Sequence, residues 1–202
     1  MKVLIACEFS GIVREAFRAR GHNAWSCDLL PPEYKSLHHY QRDVISLISR
    51  SNDAEIWDFI GAHPPCDNLC VSGARWFEQK RQDGRQQASI EFFMSFVRVF
   101  EKNPKLRGYI ENSVGIMSTL YRKPDQIIQP HMFGHPEFKA TCLWLFNLQP
   151  LVPTDILTPP IKGTPERAQW SRVHRASPGP NRWKERSRTF PRIGAAMAEQ
   201  WG

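Results

Sequence analysis

A chain of 202 residues is long enough for one domain with a real core and too short for two ample ones. With 41% apolar residues, a mean hydropathy of −0.47 and no apolar run near the ~18 residues of a bilayer span, membrane functions are excluded, and the apolar part of the N-terminus is too short for a secretion signal. Five cysteines, an odd number without framework spacing, exclude a disulfide scaffold and point to free thiols in a reducing, cytoplasmic compartment, while the +7 formal charge points to a polyanionic partner, nucleic acid first.

In chain order, the apolar stretch Lys2–Cys7 predicts a buried strand, and Glu8-Phe9-Ser10-Gly11 a turn. Ser10 is placed to cap a helix whose Ile12, Val13, Ala16, Phe17 and Ala19 fall near helical spacing. Gly21 suits the exit from that helix. Asn23–Cys27 predicts a second strand with Asp28 at its carboxyl end. Strand, Gly-containing turn, helix, strand and acid form the βαβ opening of a nucleotide- or cofactor-binding half. It is no dinucleotide fingerprint, because Ser10-Gly11 stands where G-x-G-x-x-G would be needed. Residues 30–41, with Pro, His and Tyr, read as a loop, and Asp43-Val44-Ile45 opens a brief helix through Ile48.

The apolar run Trp57–Ala62, interrupted by Asp58, predicts another buried strand that stops at His63-Pro64-Pro65. Two prolines fix their own φ and restrict the residues before them, so Cys66 leaves the strand in a pre-set direction, as a nucleophile requires. A structural cysteine in a tight loop would account for the same residue. Residues 67–82, with Cys70, Ser72-Gly73 and Arg75-Trp76-Phe77, read as an active-site loop. Arg85–Glu101 predicts the best helix, with Ile90, Phe93, Met94, Val97 and Phe100 on a core stripe and Pro104 beyond its end. Leu106–Glu111 and Thr141–Phe146 predict strands, the first presenting Glu111-Asn112. Pro150–Pro180 holds seven prolines and resists regular assignment, and Ile193–Gln200 predicts a terminal helix. From Arg167 to Arg192 eight Lys or Arg stand against Glu185 alone, so residues 147–192 read as an irregular, basic, Pro-rich segment facing nucleic acid.

Cys66, Glu111, Asp28 and the Ser10-Gly11 turn would all lie at carboxyl ends of strands, the edge where open α/β sheets collect ligands. A thiol beside a carboxylic acid is a coherent pair, one attacking an electron-poor ring while the other protonates or hydrogen-bonds it. Alone, Glu111 reads equally as an acid stabilising a following helix through its dipole. No metal is assigned: Cys66-x-x-x-Cys70 with His63 lacks a second ligand pair, and His38-His39, His131 and His135 are isolated.

These residues resemble the DNA cytosine-5 methyltransferases, in a compact, phage-type branch. Pro64-Pro65-Cys66 is similar to that family's proline–cysteine motif and Glu111-Asn112 to its Glu-Asn motif. Phe9-Ser10-Gly11 is similar to the Phe-x-Gly turn under S-adenosylmethionine, Asp28 to the acid at the cofactor ribose, and Asp43-Val44 to the pair beside the adenine. Gly194-Ala195-Ala196 is similar to the last cofactor-side motif. Residues 2–115 carry the match. Asp67 stands where the family has Gln, Ser113 replaces an apolar residue, and Arg186-Ser187-Arg188 stands in for Gln-x-Arg-x-Arg.

The resemblance implies a single Rossmann-like α/β domain with a mostly parallel central sheet and no full target-recognition domain. It implies Cys66, Glu111, Asn112 and Pro65 as catalytic residues. Phe9, Ser10, Gly11, Asp28, Asp43, Val44 and Pro64 would hold S-adenosylmethionine. Arg75, Arg182, Lys184, Arg186 and Arg188 would contact DNA, in a bacterial or phage-infected cytosol, with no obligate protein partner. The activity implied is methyl transfer to cytosine C5 in DNA. The alternatives are a nucleic-acid-binding relative without turnover, an altered donor, or a free nucleotide as substrate. The thiol is expected to be activated locally.

Overall fold

Seven strands line up in one sheet in the computed structural model, which describes residues 1–48 and 57–202. They are β1 (Lys2–Ala6), β2 (Asn23–Asp28), β3 (His39–Gln41), β4 (Phe59–Ala62), β5 (Arg107–Ser113), β6 (Gln126–Ile128) and β7 (Thr141–Phe146). Their order is β3-β2-β1-β4-β5-β7-β6. From β3 to β5 every pairing is parallel, whereas β7 runs antiparallel between β5 and β6. The protein is therefore an α/β protein with a mostly parallel, mixed sheet. The chain winds outward from β1 to β3, then returns to β4 on the other side of β1. That reversal opens a crevice at the carboxyl ends of β1 and β4, where Ala6 and Ala62 are paired in register.

Alternation along the strands supplies two cores. Leu4, Ala6, Ile60, Ala62 and Ile110 face one side, packed with α2 (Val44–Ile48), α4 (Arg85–Lys102) and α5 (Met117–Leu120). Val3, Ile5, Phe59 and Tyr109 face the other, under α1 (Ile12–Ala19) and α9 (Pro191–Trp201). Strands covered on both faces read as continuous apolar runs, as these do. Of the predicted α4 stripe, Phe93, Val97 and Phe100 are buried and Ile90 and Met94 partly so, and the unpredicted Phe96 joins the core. The buried indoles of Trp144 and Trp201 donate to the Arg122 and Gln149 carbonyls at 2.8 and 3.0 Å, so neither costs an unmet N–H.

Several sequence expectations are corrected. Cys7 lies outside β1 at φ 58°, turning the chain sharply at the strand's end. Gly11, not Ser10, is the N-cap of α1. Residues 67–82 are not a loop: Val71–Trp76 is a 3₁₀ helix followed by α3 (Phe77–Gln82). β5 extends through Asn112 and Ser113, and β4 begins only at Phe59, because Asp58 turns its carboxylate to the Lys2 amide at 2.7 Å. Within the Pro-rich stretch and just after it lie three short helices, α6 (Pro165–Gln169), α7 (Arg172–Arg175) and α8 (Arg182–Ser187). Among the described residues, no helix is long and apolar enough to cross a membrane.

Gly61 is fixed by close approach. A Cβ there would meet the Tyr109 ring and hydroxyl at 2.8 Å, so glycine lets the tyrosine cross β4 toward His63. Gly61→Ala is expected to destabilise the protein by about 1–3 kcal/mol through overpacking, measured by urea unfolding, with Tyr109→Ala in the same chain relieving the clash.

Candidate active site

The site is assembled where β1, β4 and β5 end. After β4, the His63 amide donates to the Ala6 carbonyl at 3.0 Å, which locks the start of the proline corner onto β1. The Asn112 side-chain amide donates to the Pro64 carbonyl at 2.9 Å from the β5 side. Leu69 and Cys70 amides both reach the Cys66 carbonyl at 2.9 Å, closing a tight turn around the thiol residue. Val71 and Ile116 amides then bond to Val114 and Leu69 carbonyls, stitching this turn to the end of β5. Pro64 is buried, Pro65 is exposed and Cys66 is partly exposed. The corner therefore presents the thiol from a backbone held on both sides.

Tyr109, Glu111 and Ser113 alternate onto one face of β5 and Asn112 onto the other. Asn112 is thus a positioning residue for the proline corner, with its buried Oδ1 unpartnered among the described residues. His63 bridges to two residues of the first set. Its Nδ1 lies 3.1 Å from Glu111 Oε2, and its Nε2 lies 2.9 Å from the Tyr109 hydroxyl. With a neutral ring, Tyr109 O–H donates to Nε2; with a charged ring, Nε2–H donates to the Tyr109 oxygen. In both states Nδ1–H donates to Glu111. Burial pushes the Tyr109 phenol well up, with Glu8 and Glu111 adding to it, so it remains a neutral hydroxyl.

The electrostatics separate the two central groups. Burial works against ionisation of Glu111, but the His63 hydrogen bond and charge, with Lys139 behind them, hold its carboxyl below the usual range. Burial pushes the Cys66 thiol up; the Ser113 hydroxyl opposes this, while Glu111, Asp67 and Cys70 reinforce it. The expected local activation of the thiol is therefore not supplied by these neighbours. Cys27 and Cys142 are buried in the core and pushed higher, to about 12 and about 11, mainly by burial, as structural thiols are.

On the β1 side, Glu8 is 5% exposed and its carboxylate accepts the Val13 and Arg14 amides of α1 at 2.6 and 3.2 Å. Ser10 Oγ takes the Ile12 amide at 3.4 Å. The start of α1 thus has its amides satisfied from within the chain. Burial raises the Glu8 carboxyl, against the lowering effects of His63, the two amides and Arg14. At the end of β2, Asp28 Oδ1 accepts the Leu30 amide at 3.0 Å. Burial pushes its carboxyl up. Asp43 uses both carboxylate oxygens on the Ile45 and Ser46 amides, capping α2, and Val44 is buried in the core. Asp43 nonetheless lies close enough to the end of β1 for its charge, with that of Asp28, to add to the effect of burial on the Cys7 thiol.

The basic residues are divided as well. Arg75 stands exposed beside the corner, its guanidinium 5.0 Å from the half-exposed Trp76 ring. The C-terminal segment folds back instead of standing free. Trp183 lies against Phe9 at 5.8 Å between ring centroids, Arg188 pairs with Glu33, and Lys139 Nζ donates to the Arg188 carbonyl at 3.1 Å. Arg182 donates to the Ala176 carbonyl at 2.7 Å, Lys184 lies over the Trp183 ring, and Arg186 Nε is buried. Gly194 packs on Ile12 and Val13. Among the described residues, no three His, Cys, Asp or Glu side chains converge to hold a metal ion.

Four contributors escaped the sequence reading. Glu8 closes α1, Tyr109 and His63 anchor Glu111, and Lys139 adds positive charge near it. Strand alternation alone would have placed Tyr109 on the Glu111 face, two residues before it. Nothing in the sequence pairs His63 with β5. No protein-family model matches the chain, and no curated protein sequence matches it significantly.

Two outcomes are expected. Alkylation of Cys66 by iodoacetamide, followed by mass spectrometry, should show a pH midpoint above that of an ordinary thiol. Asp67→Asn should move the midpoint down and Ser113→Ala up. His63→Phe leaves Tyr109 and Glu111 without their buried partner and is expected to cost about 1–3 kcal/mol of stability. The Glu111 carboxyl should then titrate higher, read by carbon-13 NMR of labelled glutamate.

Proposed function

We propose that the protein transfers a methyl group from S-adenosylmethionine to C5 of cytosine in DNA, through a covalent adduct at Cys66. The observation that carries this reading is the meeting of Cys66 and Glu111. They arrive from adjacent parallel strands at one sheet edge, close enough for the carboxylate's charge to act on the thiol. A nucleophile and an acid–base group held side by side suit addition across an aromatic ring bond. The resemblance of the Pro64-Pro65-Cys66 and Glu111-Asn112 motifs names cytosine as that ring.

The cofactor assignment is supported from the β1 side. A nucleotide pyrophosphate needs free amides at the first helix, and here Glu8 and Ser10 take them. A phosphate-free cofactor such as S-adenosylmethionine fits better. Asp28, one oxygen on the Leu30 amide, fits the ribose hydroxyls, and the Phe9–Gly11 turn fits the rest of the adenosine. When bound, S-adenosylmethionine would supply an electrophilic methyl group.

The chain's own residues account for the remaining work. The target base must leave its stack to expose the ring edge. Glu111 faces N3 and the exocyclic amino group, and His63 Nδ1–H keeps its carboxylate aimed. Loss of the Cys66 proton to solvent produces the thiolate, which forms the S–C6 bond while the ring electrons move toward C5 and N3 takes a proton from solvent, its new N–H donating to the Glu111 carboxylate. After C5 is substituted, its proton and the one held on N3 pass to solvent, the ring electrons return, and the S–C6 bond breaks to free the thiolate. The raised Cys66 thiol makes proton loss the difficult step, so the rate should climb with pH.

A second reading, a nucleic-acid-binding protein of this fold without turnover, is favoured by the raised thiol and by Trp183 lying on Phe9. Incubation with S-adenosylmethionine and DNA containing 5-fluorocytosine separates the two. The expected result is a denaturation-resistant protein–DNA adduct mapping to Cys66 and absent in Cys66→Ala. Folded, DNA-binding protein that gives no adduct would sink the methyltransferase reading and leave the second.

A further inference from the structure

Beside the β1–α1 turn, away from Cys66, a cleft of about 410 Å³ is lined by Ser10, Arg14, Arg18, Lys35, Ser36 and His38, among others. Arg14 is the unusual member. It is 3% exposed, its ion-pair partner is the half-exposed Glu15, and the buried Glu8 carboxyl lies near enough to feel its charge. Nε donates to Glu15 at 2.8 Å and Nη1 to Ser26 Oγ at 2.7 Å. Ser26 is in turn 2.8 Å from His39 Nδ1, and His39 Nε2 is 3.0 Å from the Leu30 carbonyl. This chain of bonds holds the guanidinium rigid. Nη2 is left over the bare Cα of Gly11, where a Cβ would collide with it. Among the described residues Nη2 has no hydrogen-bond partner, and it is not sealed from solvent.

A rigid guanidinium edge with two free N–H groups, reinforced by Arg18 and Lys35, is the chemistry that recognises a tetrahedral oxyanion. The acid in the cleft, Glu15, is already engaged by Arg14 and lies 3.8 Å from Arg18. The two largest apolar side chains at the rim are strongly exposed, Tyr34 at 75% and Leu37 at 85%. Tyr34 also lines the neighbouring cavity of about 670 Å³, where Arg172 and Arg188 are paired with Glu137 and Glu33. An anion site with an open aromatic face beside it suits a ligand carrying both phosphate and base.

We infer that this cleft binds a nucleotide phosphate, with Arg14 Nη2, Arg18 and Lys35 on its oxygens and Tyr34 against the attached base. The helix start cannot do this work, because Glu8 closes it; the anion affinity resides in side chains. The site is separate from Cys66 and stands whether or not Cys66 turns over.

Arg18→Gln/Lys35→Gln removes two rim charges and leaves the buried Arg14 in place, with an unchanged melting temperature as the check on folding. Binding of a labelled oligodeoxynucleotide is measured by anisotropy across a salt series, and binding of dCMP by the Arg14 side-chain NMR resonance. If the phosphate belongs to a strand, the slope of log K against log salt should fall by about one to two. Tyr34→Ala should weaken binding with the slope unchanged. If it belongs to a free nucleotide, dCMP should shift the Arg14 resonance in the parent and about tenfold more weakly in the double variant, with the oligonucleotide slope unaffected. A folded double variant that binds both ligands as the parent does, or a parent that binds neither, would overturn the inference.

Discussion

The His63 ring, hydrogen-bonded at both nitrogens, ties the end of β4 to two alternate residues of β5. Every group at the candidate site is placed relative to that tie. It requires Gly61, whose missing side chain is the passage through which Tyr109 reaches the ring. It aims Glu111, and through the Ala6 carbonyl it anchors the proline corner that carries Cys66. Each bond is worth only about 1 kcal/mol net, but leaving one of these buried groups unpaired costs more than the bond contributes. That asymmetry makes the arrangement all-or-none.

Charge is distributed with the same economy. Glu8 and Glu111 both lie close to His63, yet they behave differently. Glu8 answers the α1 amides and ends with its carboxyl raised, whereas Glu111 has a direct histidine partner and ends lowered. Burial disfavours the Cys66 anion, with Glu111 and Asp67 adding to it and the Ser113 hydroxyl opposing.

Much of the fold was legible in the sequence because it rests on local rules. The apolar runs that became β1, β2, β4, β5 and β7 sit within a residue or two of their expected places, and the Phe93–Phe100 stripe lies against the sheet as its spacing requires. The expected neighbourhood of Cys66 and Glu111 follows from parallel strands that end together. What could not be read was which of several candidate partners each polar group at an element end takes. Ser10 had the right chemistry for a cap, but Glu8, turned back by the left-handed Cys7, took the amides first. Asp43, expected beside the cofactor, also serves as a helix cap. Arg188, expected to contact nucleic acid, is also paired with Glu33, far away in the chain. Acids and bases at element ends carry no sign of whether a backbone amide or a ligand will use them.

The packing of α9 on α1 has a bearing on how the molecule is made. Ile193, Met197 and Trp201 complete the core that Val13 and Phe17 begin, and the Arg107 guanidinium on β5 donates to the Trp201 carbonyl at 2.9 Å. α1 waits for α9, far later in the chain, to cover it, a high-contact-order closure that is slow compared with local helix formation. On the ribosome, the α2–α4 side of the sheet can consolidate while the α1 side stays open, with its apolar surface available to chaperones. The crevice beside the Phe9–Gly11 turn is therefore among the last features to acquire its shape, and a chain stalled short of α9 would carry the motifs of the site without the site itself.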